Sequence, residues 1–264
     1  MSLSHGNAFT WFLLVGLSGI IVVAVVTAQR GRKMTIRRIA GLSAIDEAVG
    51  RATEMGRPML FSPGLGGLQI TTLQALAVLG HVSRLAARYG VRIITALADP
   101  IVFPVAEETV REAYAAEGRP EAFRPEDVRF VSDRQFAYAA GCVGLMSRER
   151  VASNFFFGDF YAESLILGET GREVGAMQIA GTPQTIQVPF FIAACDYVII
   201  GDEYYAASAY LTQEPTLLGS LVGQDIAKAL LVGLILLGIG IATVLGAAAN
   251  TPLHNFLLRW LGGR

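Results

Sequence analysis

Only two cysteines and three histidines occur in the 264 residues. Cys142 and Cys195 stand far apart in no zinc or redox spacing, which excludes a disulfide framework and leaves them as buried apolar residues. His5 and His254 flank the two most apolar stretches. His81 falls inside an apolar helical stretch, where a satisfied core or surface histidine is the expected role. No serine occupies a nucleophile-elbow pattern and no lysine completes a phosphate-loop motif. Charge is scarce too. Charged residues make up 16% against 53% hydrophobic, an apolar excess for a soluble chain of this size. The net charge of −1 gives nucleic acid no electrostatic footing. Glu107, Glu108 and Glu163 read as solvated helix faces. Neither a catalytic constellation nor a metal-ligand cluster is expected.

What the chain does have is two long uncharged runs. One covers residues 9–28 and the other 229–249. About 20 apolar residues cross ~30 Å of hydrocarbon at 1.5 Å per residue. No Lys or Arg precedes Phe9, and the basic cluster follows the run. The first run therefore reads as an uncleaved anchor, not a signal peptide. Arg30, Arg32, Lys33, Arg37 and Arg38 come directly after it, and cytoplasmic flanks carry the excess of Lys and Arg. The expected organisation is an external N-terminus over 1–8, a transmembrane helix over 9–28 and a basic cytoplasmic linker over 29–43. A cytoplasmic domain over 44–225, a second transmembrane helix over 226–249 and an external amphipathic tail over 250–264 complete it. Lys228 agrees with this orientation; Arg259 and Arg264 oppose it but are outnumbered.

Between the runs, short apolar segments alternate with helical ones. Strands are expected at 58–61, 91–97, 128–131, 154–157, 176–180 and 197–200. Helices are expected at 44–55, 68–89, 101–117, 134–149, 160–170, 184–195 and 203–213. Alternation of this kind implies an α/β fold, doubly wound on a mainly parallel sheet of about six strands. Gly56, Gly90 and Gly171 sit where helix-ending glycines are expected, and Pro189 suits a first helical turn.

The ligand candidates lie at strand ends. Ser62-Pro63-Gly64-Leu65-Gly66-Gly67 follows the first strand and precedes a helix. Its glycines would let backbone N–H groups approach an anion. Asp99 ends the second strand, where a ribose-binding acid would sit. In Gly181-Thr182-Pro183-Gln184, Thr182 and Gln184 are placed to hydrogen-bond a ligand, and Thr182 is equally suited to cap the next helix. Position 69 is Gln where the dinucleotide fingerprint wants Gly or Ala, so a tight structural turn is the preferred reading. Two strand–Gly–Asp units, at Gly158-Asp159 and Gly201-Asp202, are expected to cap the following helices. The sharper alternative brings the two carboxylates together at the sheet edge.

Gly238, Ala242 and Gly246 recur at steps of four in the second run, a face on which another helix can approach closely. Gly219 and Gly223 repeat the spacing just before it. The segments Phe61–Gly67, Ala96–Pro100, Gly181–Gln184 and Gly201–Tyr205, with the terminal span, resemble a family of prokaryotic two-pass membrane proteins catalogued only as a domain of unknown function. The resemblance implies membrane location and an α/β domain, and transfers no activity. The leading expectation is a membrane-anchored scaffold or assembly subunit in the cell membrane, a homo-oligomer contacting the bilayer and other membrane proteins. The alternative is a sensing module binding a nucleotide or phosphorylated metabolite at Gly64–Gly67, with Asp99 and Thr182 assisting. An enzyme comes third, and no cofactor is assigned.

Overall fold

The computed structural model describes residues 8–31, 39–212 and 215–246. It divides into two compact units, Arg37–Thr212 and the pair Met1–Ile36 with Gln213–Arg264. The elements in chain order are α1 (Ala8–Gln29), α2 (Ala40–Met55), β1 (Met59–Gly64), α3 (Ile70–Tyr89), β2 (Ile93–Leu97), α4 (Val102–Ala116), β3 (Val128–Phe130) and α5 (Gln135–Glu149). After these come β4 (Ser153–Asp159), α6 (Glu163–Glu173), β5 (Met177–Thr182), α7 (Val188–Ala194), β6 (Tyr197–Ile200), α8 (Asp202–Thr212) and α9 (Pro215–Gly246).

The central unit is an α/β fold on one all-parallel sheet of six strands, ordered β3-β2-β1-β4-β5-β6. The strands read as nearly continuous apolar runs because both faces are covered. Side chains alternate across the sheet. Leu60, Ile94 and Phe156 face a core built with Tyr138, Cys142 and Met146 of α5, Leu167 of α6 and Phe191 of α7. Phe160 stands edge-on to both Phe156 and Phe191, with centroids 6.1 and 5.2 Å away. On the other face Phe61 stacks on Phe157 at 6.1 Å. Cys142 is fully buried and burial pushes its thiol up to about 12, as it does that of Cys195. Cys142 is a core packing residue and Cys195 is half-buried, and both thiols are held in the protonated form.

Glycines end two helices as the sequence suggests. Gly56 and Gly90 adopt left-handed conformations, φ 61° and 72°, and their N–H groups cap α2 and α3. Gly171 does not end α6, which continues to Glu173. A Cβ there would lie 1.9 Å from Gln178 Oε1 and 2.5 Å from Asn154 Nδ2. It is glycine because α6 crosses a buried amide pair on β4 and β5. Pro189 falls in the first turn of α7 as expected. The connection between α4 and β3 holds two short 3₁₀ turns, Pro120–Ala122 and Pro125–Asp127.

The second unit contains two helices long and apolar enough to cross a membrane, with mean hydropathy 2.5 over Thr10–Gln29 and 1.8 over Pro215–Gly240. Helix α9 is continuous from Pro215, so the α/β unit ends at Thr212, not near residue 225. Gln224, Asp225 and Lys228 lowered the apparent apolarity of its first turns without breaking the helix. Helices α1 and α9 pack antiparallel on small residues. A Cβ at Gly219 would lie 2.7 Å from Val25 Cα, and one at Gly223 would lie 2.9 Å from Ile21 Cα. Ala24 and Ala28 are buried in the same seam. Gln29 Nε2 donates to Thr216 Oγ1 at 3.4 Å. A Cβ built at Gly238 would meet nothing within 4 Å among the described residues outside its own stretch of helix. Helix α9 includes Ala242 and Gly246, but their surroundings lie outside the described residues, as do Arg32, Lys33, Arg37, Arg38 and the tail from 247.

Overpacking at a close contact costs about 1–3 kcal/mol. Gly223→Leu should therefore lower the stability of the full-length protein in mild detergent by about that much, read by denaturant titration. Gly238→Leu, matched in size and chemistry, should leave it unchanged. Equal effects would mean that the α1–α9 seam is not set by glycine.

Candidate functional site

Strand order reverses between β1 and β4, and open α/β sheets bind ligands outside the carboxyl ends of the strands at such a point. The glycine-rich turn lies there. Strands β1 and β4 approach each other through reciprocal glycines. Gly64 (φ 79°) would place a Cβ 2.1 Å from Asp159 O, and Gly158 (φ 136°) would place one 2.1 Å from Pro63 O. Leu65 N–H then donates to Asp159 O at 2.8 Å. Beneath the turn Tyr138 OH donates to Ala96 O at 2.9 Å. The fully buried Ser62 hydroxyl donates to Tyr138 at 2.6 Å and accepts Gly64 N–H at 3.2 Å. Burial raises the Tyr138 phenol well above its ordinary range, so it stays a neutral donor.

Asp159 is the centre of the arrangement. It is 3% exposed. Its Oδ2 accepts the Thr71 hydroxyl and its Oδ1 accepts Gln184 Nε2 at 3.2 Å. Gly66 passes over it, since a Cβ there would lie 3.1 Å from Asp159 Oδ2 and 2.9 Å from Thr72 Oγ1. Thr72 in turn donates to Gly67 O at 2.6 Å. Thr71 is the second residue of α3, whose N-cap Gln69 makes no side-chain cap bond. A carboxylate from β4 thus occupies the uncapped, electropositive start of α3, where nucleotide-binding folds put a phosphate. This corrects the expectation that Asp159 caps its own following helix. Helix α6 starts instead with Glu163, whose Oε1 accepts Tyr161 N–H at 2.8 Å and whose Oε2 accepts Gln135 Nε2 at 2.6 Å. Glu163 is fully buried, not a solvated face. Glu108 does lie at the surface, paired with Arg111.

The structure gathers Gly64 and Gly66 at Asp159 and puts Gly67 beside Asp99, 3.0 Å from its Oδ2 to a built Cβ. Asp99 Oδ1 accepts Ile101 N–H at 2.6 Å at the start of α4. Thr182 is buried and accepts Gln184 N–H at 3.2 Å. It shapes the turn that delivers Gln184 and does not cap α7, whose N-cap is Gln187. Tyr204 closes the far side, its OH donating to Thr71 O at 2.7 Å. Its phenol is raised well above its usual range by burial and by Asp159. Asp202 begins α8, and its charge with that of Asp159 contributes, after burial, to raising Tyr205. Asp159, Thr71 and Gln184 were not singled out as a group from the sequence. The Gly158-Asp159 step and the turn bearing Gln184 were visible signals, while Thr71 gave none.

Two properties mark this edge as a whole. Every strand-to-helix connection exposes a large apolar side chain: Leu68 and Ile70 after β1, Ile101 after β2, Phe136 after β3, Tyr161 after β4, Ile186 after β5 and Tyr205 after β6. Ile70, Ile101, Phe136 and Ile186 are 69%, 64%, 65% and 76% exposed. The same connections carry Asp99, Asp133, Asp159, Glu163, Asp202 and Glu203 against one cation, Arg134. At the amino edge, by contrast, charges interleave as ion pairs. Arg92 binds Asp127 at 2.5 Å and Glu149 at 2.8 Å, and Arg88 binds Glu117 at 3.0 Å. A cavity of about 220 Å³ there, lined by Tyr114, Phe123, Arg92 and Asp127, holds none of the expected site residues. Among the described residues no group of three His, Cys, Asp or Glu could hold a metal.

The chain matches, over residues 2–252, the family described as domain of unknown function DUF6754. It belongs to that family. No curated protein and no solved structure matches it. In this DUF6754 chain the matched region takes in the sheet, the switch-point turn and both apolar helices.

Asp159→Ala should destabilise the protein by about 2–4 kcal/mol, because it removes charge-assisted bonds and leaves Thr71 and Gln184 unmatched. Sodium formate, which restores a carboxylate of the right size, should recover part of the loss in thermal melts, and sodium chloride should not. Equal stabilisation of the parent protein by millimolar phosphate would contradict an internally occupied anion position.

Proposed function

We propose that this protein is a membrane-anchored assembly subunit that presents the carboxyl edge of its α/β domain to other proteins. The observation that carries the reading is the exposed apolar side chain on each of the six strand-to-helix connections. Large apolar side chains left exposed at every connection along one sheet edge suit an interaction surface. Two apolar helices suit an anchor, and anchoring raises the effective concentration for lateral contacts. Self-association is part of the proposal, on the strength of Gly238, Ala242 and Gly246 recurring at steps of four in α9, a spacing that suits close approach by a helix of another copy.

A second reading, a sensor for a nucleotide or phosphorylated metabolite, draws support from the strand order, the Gly64–Gly67 turn and Asp99. Electrostatics weigh against it. A phosphate approaching α3 meets the Asp159 carboxylate already in place, and the surrounding acids add to the repulsion.

For topology we propose a cell-membrane protein with both termini outside and the α/β domain in the cytoplasm, on the strength of the five basic residues after the first apolar run. A membrane-impermeant thiol reagent should label Ser4→Cys in intact cells and spare Ser132→Cys; the opposite pattern overturns the orientation. Replacing Ile70 and Ile186 together by Ser should reduce crosslinked species in native membranes without changing the thermal midpoint. Unchanged crosslinking would remove the assembly reading's main support.

A further inference from the structure

The character of the partner can be read from the same edge, an inference that rests on the assembly reading. We infer that the carboxyl edge receives a cationic amphipathic helix of a partner protein. The argument starts from charge. The six connections carry six carboxylates and one guanidinium, a formal excess of five negative charges. Helix N-termini at this edge offset part of it. Five of the helices that begin here have at least eleven residues. At about half a charge each they contribute roughly +2.5, so the edge stays negative. Asp159 and Glu163 are satisfied by hydroxyl, amide and backbone donors, and no Lys or Arg pairs with either among the described residues.

That field selects among occupants. An anionic lipid surface is repelled, as is a nucleotide without a counter-ion. A second copy docking face to face would set one acidic edge against another, because an isologous interface repeats the same patch on both sides. A helix with Lys or Arg beside large apolar residues satisfies both properties of the edge. Its apolar face covers Leu68, Ile70, Ile101, Phe136 and Ile186, and its cations meet Asp99, Asp133 and Glu203. Size agrees. Six strands at about 4.8 Å spacing present a row about 24 Å long, the length of a helix of about 16 residues.

The test uses full-length protein in nanodiscs of zwitterionic lipid and two 18-residue amphipathic helices, one of Leu and Lys and the other of Leu and Glu, read by fluorescence anisotropy. The Lys helix should bind saturably and weaken as salt rises. Two exposed substitutions at opposite points of the edge, Asp133→Lys with Glu203→Lys, should weaken it about tenfold or more. Ile70→Ser with Ile186→Ser should weaken it by a similar factor. Both double variants should keep the parent's thermal midpoint, since all four side chains are exposed. Preference for the Glu helix, with the same dependence on Ile70 and Ile186, overturns the cationic partner and keeps the docking surface. Binding of the Lys helix that ignores the Ser substitutions is charge attraction alone and overturns the inference. Failure of both helices, together with crosslinking in native membranes that is indifferent to Ile70 and Ile186, overturns the docking surface as well. Tight binding of the protein to anionic vesicles through the same residues would replace the protein partner with a lipid one.

Discussion

Strands β1 and β4 come from segments almost a hundred residues apart, and their carboxyl ends meet more closely than side chains allow. Gly64 lies against the Asp159 carbonyl and Gly158 against the Pro63 carbonyl, so each strand presents bare backbone to the other. The rest of the edge hangs on this contact. It brings Asp159 under Gly66 and into reach of Thr71, which ties β4 to the start of α3. Gln184 extends the link to the loop after β5, and Tyr204 extends it to α8 through the Thr71 carbonyl. Four connections that share no local sequence are thereby joined through one buried carboxylate. A buried charge is tolerable only when its oxygens are matched, and here hydroxyl and amide donors do the matching.

Much of this was legible beforehand, for identifiable reasons. The strands are short apolar runs, so β3, β4 and β6 could be placed to within a residue or two, while β1 runs three residues past its expected end at Phe61. The two-sided burial of the sheet was implied by runs with little polar alternation. Strand order was not legible, because pairing between β1 and β4 is a non-local choice and nothing in either run names its neighbour. Gly64 and Thr182 end β1 and β5, Gly66, Gly67 and Asp99 lie in the connections that follow strands, and geometry put Gly67 beside Asp99.

The misreadings share a cause. Asp159 looked like a cap because aspartate after a strand usually caps the next helix, yet its partner Thr71 is 88 positions earlier. Glu163 looked solvated because it opens a helix with polar neighbours, while Gln135 from another helix covers it. Gly171 looked like a helix end because glycine often is one, and the amides that require it sit on two other strands. In each case a local rule was overruled by a contact distant in sequence.

The two glycines of α9 also set an offset between the arms of the helical pair. Gly219 lies beside Val25 and Ala28, and Gly223 beside Ile21 and Ala24, so the arms run in opposite directions. Carried forward at equal rise, that alignment brings Ala8 level with roughly residue 237. Helix α9 goes on to Gly246, a further ~14 Å. The arms are unequal, and Gly238 begins the overhang. Among the described residues, the seam with α1 thus takes up only the first part of α9, where Gly219 and Gly223 fold the chain back on itself, and Gly238 lies beyond it.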